Sequence, residues 1–125
     1  VIHIMPEQLK VTNKGATMSL GAYPCILKKN SKSYDAYRKQ KISERHRHRF
    51  EVNNKFREVI EKYGMVMSGT SPDENLVEMI ELSDHPWFVG CQFHPELKSR
   101  ATKAHPLFRE FVKAAFQYSQ RKIQN

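Results

Sequence analysis

The segment Phe93-His94-Pro95-Glu96 places a carboxylate two residues after a histidine. A carboxylate at that spacing can hold an imidazole in one tautomer and one orientation, as in catalytic triads. Residues 87–93 form a short, nearly continuous apolar run, which predicts a buried central strand just before the histidine. Catalytic side chains often follow the ends of such strands. The pattern therefore favours His94 as a general base oriented by Glu96, although a purely structural His–Glu pair has the same spacing.

A general base of this kind requires a nucleophile, and neither cysteine of the chain is predicted to be one. In an extended strand Cys91 points to the opposite face from His94, three residues on. Cys25 follows Pro24 and lacks the Gly-x-Cys-x-Gly setting of a sharp strand-to-helix turn. Both cysteines are therefore expected to be structural.

A second candidate site is the run Arg45-His46-Arg47-His48-Arg49. In an extended strand its three arginines share one side and its two histidines the other, and guanidinium forks suit a carboxylate or a phosphate. A solvated basic face is the alternative interpretation. A His-x-His zinc site is a further alternative, but no third ligand is evident in the sequence, and we predict no metal site.

The elements that must position these residues follow from the apolar spacing. Residues 1–4 predict a strand, and residues 17–27 predict an edge or irregular strand because Gly21 and Pro24 interrupt it. Residues 28–41 are polar and predict an exposed loop or a short helix. Residues 65–69 and 76–82 flank a turn-rich segment and predict a β-hairpin.

Two helices are predicted. The first is capped by Asn53 or Asn54 and ends at Gly64, and the second begins at Pro106. The first helix has one apolar face, formed by Phe56, Val59, Ile60 and Tyr63. The second carries a stripe that we expect to be buried, formed by Leu107, Phe108, Phe111, Val112, Ala115 and Phe116.

Length and composition exclude several classes of protein. The chain has 125 residues, of which 21 are Lys or Arg and 13 are Asp or Glu, so its formal charge is +8. This length predicts one domain at most. No apolar run reaches the ~20 residues of a membrane-spanning helix, and no signal-peptide pattern opens the chain, so we predict a cytoplasmic protein without membrane contact. Two cysteines cannot build a disulfide framework.

Four segments resemble a known family of enzymes. The segment GCQFHPE at residues 90–96 resembles the histidine motif of class I glutamine amidotransferases. Three others resemble the C-terminal glutamine amidotransferase domain of the CTP synthase family: RHRHRFEVN at 45–53, ATMSLGAYPC at 16–25 and DHPWFV at 84–89. The resemblance extends over nearly the whole chain.

The resemblance implies a fold and an activity. The fold is α/β, a flavodoxin-like three-layer domain of which residues 1–125 are the C-terminal half, with a mixed sheet and a closing C-terminal helix. Such a domain hydrolyses glutamine, and the ammonia passes to a separate synthase domain that aminates UTP. That reaction uses ATP and magnesium, with GTP as an allosteric activator, and this chain is expected to hold no cofactor. The parent enzyme is expected to be a homotetramer that binds no nucleic acid.

The resemblance also implies roles for four residues. His94 corresponds to the general base and Glu96 to the carboxylate that orients it. Arg49 corresponds to the residue that holds the α-carboxylate of glutamine, and the backbone of Phe50 to a neighbouring glutamine contact. The family's nucleophilic cysteine lies before Val1, so the chain alone is predicted to be inactive.

Two other functions remain open on the sequence. One is a basic nucleic-acid-binding module, with affinity that falls steeply with salt. It would use Arg45, Arg47 and Arg49 with Phe50 and Tyr37. The other is an inactive amidotransferase relative that acts as a binding partner.

Overall fold

The computed structural model describes residues 1–5 and 19–123, which form seven strands and three α-helices. Residues 17 and 18 of the predicted second strand lie outside the described residues. The strands are β1 Ile2–Ile4, β2 Ser19–Leu27, β3 Lys41–His48, β4 Phe50–Val52, β5 Met65–Thr70, β6 Val77–Leu82 and β7 Val89–Cys91. The helices are α1 Lys32–Tyr37, α2 Arg57–Lys62 and α3 Pro106–Ile123, and 3-10 turns cover Asn54–Phe56 and Pro95–Lys98.

Five strands form one sheet in the order β3-β2-β5-β6-β7, and β1 pairs with β4 in a two-stranded sheet. The predicted hairpin of β5 and β6 is confirmed. All pairings in the described ranges are antiparallel, so any parallel part of the predicted mixed sheet would lie outside them. Strand β2 lies inside the sheet rather than at its edge, but β5 pairs only with its last two residues, Ile26 and Leu27. Gly21 has a φ of 108°, but β2 pairs with β3 from Ser19 to Ile26 without a register shift, so the predicted irregularity does not interrupt the pairing.

The segment between β2 and β3 forms the short helix α1, as one of the two alternatives predicted. It is not exposed as expected, because Ser31, Ser33 and Ala36 are buried. Glu81 of β6 accepts hydrogen bonds from the backbone N–H groups of Lys32 and Ser33 at 2.9 and 3.0 Å. A buried carboxylate thus satisfies the free donors at the start of the helix, and this binds α1 to the sheet.

The prediction of a central strand over residues 87–93 is wrong in extent and position for the part of the chain that the structure describes. Strand β7 spans only Val89–Cys91 and lies at one end of the sheet order. Its apolar side chains pack against the core from the edge, together with Trp87. A continuous apolar run indicates that both faces of a strand are buried, but it does not predict the position of that strand in the sheet order.

Asn53 caps the 3-10 turn that leads into α2, because its side chain accepts from Lys55 N at 3.1 Å. The helix α2 itself begins only at Arg57, and Gly64 follows it at φ 90°, as predicted. Helix α3 begins at Pro106 as predicted, but only Leu107 of its apolar stripe is buried. Phe111, Val112 and Phe116 are each more than half exposed, because no described element covers that side of the helix. The main core forms instead around Cys25, Leu27, Ala36, Ile42, Met79, Phe93 and Leu107.

Candidate active site

The predicted His–Glu pair forms at the surface, directly after β7. His94 Nδ1 lies 2.7 Å from Glu96 Oε1, and the two side chains are 39% and 56% exposed. The hydrogen bond from His94 holds the pKa of Glu96 below its usual value. A 3-10 turn that begins at Pro95 folds the carboxylate back over the imidazole. With Nδ1 donating to Glu96, Nε2 is the nitrogen available to take a proton from another group.

The backbone fixes this pair to strand β3. His94 N donates to the carbonyl oxygen of Arg45 at 2.9 Å, and Lys98 Nζ donates to the Ser43 carbonyl at 2.6 Å. The two segments singled out from the sequence therefore lie side by side, although 45 residues separate Arg49 from His94.

Both cysteines have environments that disfavour a thiolate, Cys25 fully buried and Cys91 half-buried. Cys25 is fully buried, and burial together with the nearby charge of Glu78 raises its pKa to about 12. Burial and the charge of Glu44 raise the pKa of Cys91 to about 12 as well. A thiol with so high a pKa is a poor source of thiolate at neutral pH. The structural role predicted for both residues agrees with these environments.

The arginine-rich run forms strand β3 and alternates as predicted up to its end. Arg45 and Arg47 are exposed and His46 is buried on the other face. Arg49 departs from this alternation because it lies at the break between β3 and β4. Its Nε is buried and has no hydrogen-bond partner within the described residues. Arg49 therefore offers a shielded donor, whereas the other two arginines face solvent.

Phe50 opens β4 with its side chain 56% exposed. Its carbonyl oxygen accepts a hydrogen bond from His48 Nδ1 at 3.0 Å. Tyr37, which the nucleic-acid alternative requires for base stacking, is engaged instead in a hydrogen bond to Glu44 at 3.1 Å. The basic face thus lacks one of the two aromatic side chains on which that alternative depended.

A second His–Glu pair, which sequence reasoning missed, lies in the interior beneath the same turn. His105 Nε2 donates to Glu44 Oε1 at 3.1 Å, and both side chains are 2% exposed. Burial raises the pKa of Glu44, but the hydrogen bond and charge of His105 outweigh it, and the pKa lies below its usual value. Tyr37 also donates to this carboxylate, and Lys98 Nζ approaches it to 3.4 Å. The only sequence signal was the position of His105 next to Pro106, which gives no hint of its partner.

A third buried cluster joins β3 to β6, which do not pair with one another. His46 Nδ1 lies 2.9 Å from His48 Nε2 and 3.3 Å from Glu78 Oε2. Burial, with a smaller effect of His48, lowers the pKa of His46 to about 4. Burial and the charge of Glu51 raise the pKa of Glu78 to about 7. The sequence offered no third ligand beside the two histidines, and the fold places Glu78 there.

No helix of the described residues is long and apolar enough to cross a membrane.

A model of the family "Glutamine amidotransferase class-I" matches residues 3–114. The chain is 62% identical to a CTP synthase of Methanosphaera stadtmanae over 92% of its own length. It is 63% identical to a CTP synthase of Chlorobium phaeobacteroides over 94% of its length. It covers 22% and 21% of these two proteins, so the chain spans about a fifth of the length of the curated relatives that it matches.

The fold is similar to that of a solved glutaminase domain of Trypanosoma brucei CTPS with bound acivicin. The TM-score is 0.83 at 33% sequence identity, and the match covers 94% of this chain and 46% of that one. Slightly less than half of a glutaminase domain is therefore represented by this chain.

Proposed function

We propose that this chain, which belongs to the class-I glutamine amidotransferase family, provides the general base and a glutamine-binding arginine to the glutaminase domain of a CTP synthase. The α/β fold expected from the resemblance, with its C-terminal helix, is confirmed by the family match and by the solved glutaminase domain. The observation that carries the proposal is the exposed His94–Glu96 pair, hydrogen-bonded at 2.7 Å and held against the arginine-bearing strand.

In this proposal His94 Nε2 takes the proton of a cysteine thiol, and the thiolate attacks the side-chain amide carbon of glutamine. The imidazolium then gives its proton to the departing ammonia, and water hydrolyses the thioester to release glutamate and restore the thiol. Glu96 keeps the imidazole in the required tautomer and stabilises the imidazolium. Cys25 is fully buried and burial raises the pKa of Cys91 to about 12, so we expect the nucleophile to be a cysteine outside these 125 residues and the chain alone to be inactive.

Arg49 binds the α-carboxylate of glutamine. A guanidinium can donate two parallel hydrogen bonds to a carboxylate, and its buried Nε has no competing acceptor in the described part of the chain. The backbone of Phe50, the next residue, contacts the same substrate. The ammonia then passes to a separate synthase domain that aminates UTP with ATP and magnesium, under activation by GTP, in a homotetrameric enzyme.

The test compares two nitrogen sources in the full-length protein. His94→Ala should abolish CTP formation from glutamine and leave CTP formation from ammonia intact, because only ammonia release requires the base. His85→Ala is the matched control, since His85 also precedes a proline but lies at the exposed turn after β6. Equal loss with both nitrogen sources in His94→Ala would contradict the proposal.

A further inference from the structure

We propose that His46, His48 and Glu78 form a binding site for one Zn²⁺-like divalent transition-metal ion. The ligand atoms of the three residues, two imidazole nitrogens and a carboxylate oxygen, all lie within 4.8 Å of one another. Two imidazoles and a carboxylate are a donor set that suits zinc. The ion takes no part in the proposed glutaminase chemistry, and the inference does not rest on the proposed function.

The distances match those of a metal centre. Ligands at about 2.0–2.1 Å from a tetrahedral zinc lie roughly 3.3 Å from one another. His46 Nδ1 is 2.9 Å from His48 Nε2 and 3.3 Å from Glu78 Oε2. Small side-chain rotations are therefore enough to bring the third pair, His48 and Glu78, to the same separation. The fourth position would be taken by water.

The surroundings of His48 prepare it as a ligand. Its Nδ1 donates to the Phe50 carbonyl oxygen at 3.0 Å, which fixes the proton on Nδ1 and leaves the Nε2 lone pair directed at His46. A hydrogen bond from the non-ligating nitrogen to a backbone carbonyl is the usual support of a metal-bound imidazole.

Glu78 supplies an independent observation. Its side chain is 4% exposed, and its Oε2 has no hydrogen-bond partner among the described residues. Its nearest polar neighbour is His46 Nδ1 at 3.3 Å, and burial keeps that imidazole neutral, so the charge of the carboxylate is not balanced there. A buried carboxylate whose charge is not balanced is costly, and the nearby charge of Glu51 makes that cost larger. Two physical states remove the cost: protonation of Glu78, or a bound cation. Only a cation would also replace the proton that His46 Nδ1 donates to His48 Nε2 and accept a lone pair from each imidazole.

Such an ion would connect parts of the chain that the sheet leaves unpaired. The two histidines lie on β3, and Glu78 lies on β6. The backbone carbonyl oxygen of Glu78 accepts a hydrogen bond from Gln92 N at 2.9 Å. The ring of Phe93 stands edge-on to His46 at a centroid distance of 5.7 Å. The ion would therefore lie next to the segment that leads into His94.

The experiment titrates Zn²⁺ into the metal-free full-length protein by calorimetry, and Co²⁺ with detection of its visible absorption. His48→Ala removes a partly exposed ligand, Glu78→Gln removes the carboxylate with little change of volume, and His85→Ala is the control. We expect one equivalent of metal that is present in the wild type and the control and is weakened in both ligand variants. The weakening should exceed the ~10–100-fold that loss of an outer-shell partner costs. Bound Co²⁺ should show the intense bands of tetrahedral coordination.

The proposal is overturned if the wild type and His48→Ala bind the same number of Zn²⁺ ions with the same affinity, or if Co²⁺ shows only octahedral absorption. Absence of any binding in the wild type overturns it as well and would assign the cluster to a protonated Glu78. Thermal unfolding of each variant separates loss of a ligand from loss of the fold, and a misfolded Glu78→Gln still leaves His48→Ala and the Co²⁺ spectrum as tests.

Discussion

Two histidine–glutamate pairs contact the same 3-10 turn, Pro95–Lys98: His94 and Glu96 begin it, and its Lys98 Nζ lies 3.4 Å from Glu44 of the other pair. His94 and Glu96 are joined at 2.7 Å at the surface, and His105 and Glu44 at 3.1 Å in the interior. Both histidines directly precede a proline that opens a helical turn. Their local sequences are therefore alike, and their environments are opposite.

The difference shows what separates a reactive pair from a structural one. Both imidazole nitrogens of the interior pair are engaged: His105 Nδ1 accepts from Leu107 N at 3.3 Å while Nε2 donates to Glu44 Oε1. Glu44 accepts from Tyr37 in addition. The surface pair makes one internal hydrogen bond and keeps an imidazole nitrogen for another group. A buried pair whose imidazole nitrogens are both engaged stabilises the fold, whereas an exposed pair with one imidazole nitrogen available can transfer a proton.

We expect the largest effect on activity from a substitution that breaks the surface pair. In the full-length protein His94→Ala should lower kcat/KM for glutamine by about 10³-fold or more, the order seen when a triad member is removed. The midpoint of thermal unfolding should stay within a few degrees, because the side chain is 39% exposed. Enzyme kinetics and a thermal melt check the two parts. A large fall in the melting temperature would mean that this pair is structural after all.

Breaking the interior pair should lower the stability of the fold and leave the chemical step unchanged. His105→Ala leaves the carboxylate of Glu44 buried with fewer partners, and loss of one member of a buried pair costs about 3–5 kcal/mol. Chemical denaturation measures this free energy. Ammonia-dependent activity at low temperature should persist, since His105 contacts no reacting atom. A stability equal to that of the wild type would contradict the assignment.

The cluster of His46, His48 and Glu78 should make the free energy of unfolding depend on pH. Burial raises the pKa of Glu78 from 4.5 to about 7, so the folded state binds a proton more tightly than the unfolded state. Its contribution to stability is present below pH 4.5 and is lost as the pH rises to 7. Metal-free Glu78→Gln should therefore gain stability relative to the metal-free wild type across this window, by up to about 1.4 kcal/mol per pH unit. Unfolding free energies measured from pH 4.5 to 7 check the slope, and parallel curves would contradict it.

We expect the smallest effect in a comparison of two neighbouring arginines, Arg49 and Arg47, by their influence on KM for glutamine. Arg49→Ala should raise KM for glutamine by about 10–100-fold with little change in kcat, the cost of losing hydrogen bonds to a charged group. Arg47→Ala is the matched control, because Arg47 faces solvent from the same segment. Steady-state kinetics of both variants in the full-length protein provide the test. Equal KM values for the two variants would remove Arg49 from glutamine binding.

Local features of the fold were well predicted because they depend on local physics. The cap at Asn53, the left-handed Gly64 and the start of α3 at Pro106 require only a few neighbouring residues. The alternation of exposed arginines with the buried His46 and half-buried His48 along β3 follows from strand geometry, and it ended where the strand ended, before Arg49. The position of β7 and the burial of the α3 stripe were predicted wrongly because both depend on which other elements pack against them.

The sequence by itself determined the His94–Glu96 pair, since two residues of spacing and one proline are enough to fold the carboxylate onto the imidazole. It also determined that neither cysteine has the setting of a nucleophile. The partners of Glu44 and of His46 were decided only by the tertiary structure. His105 is 61 residues from Glu44, and no periodicity relates Glu78 to the two histidines of β3. Contacts between distant segments depend on how strands pair and cross, and local spacing carries no record of that pairing.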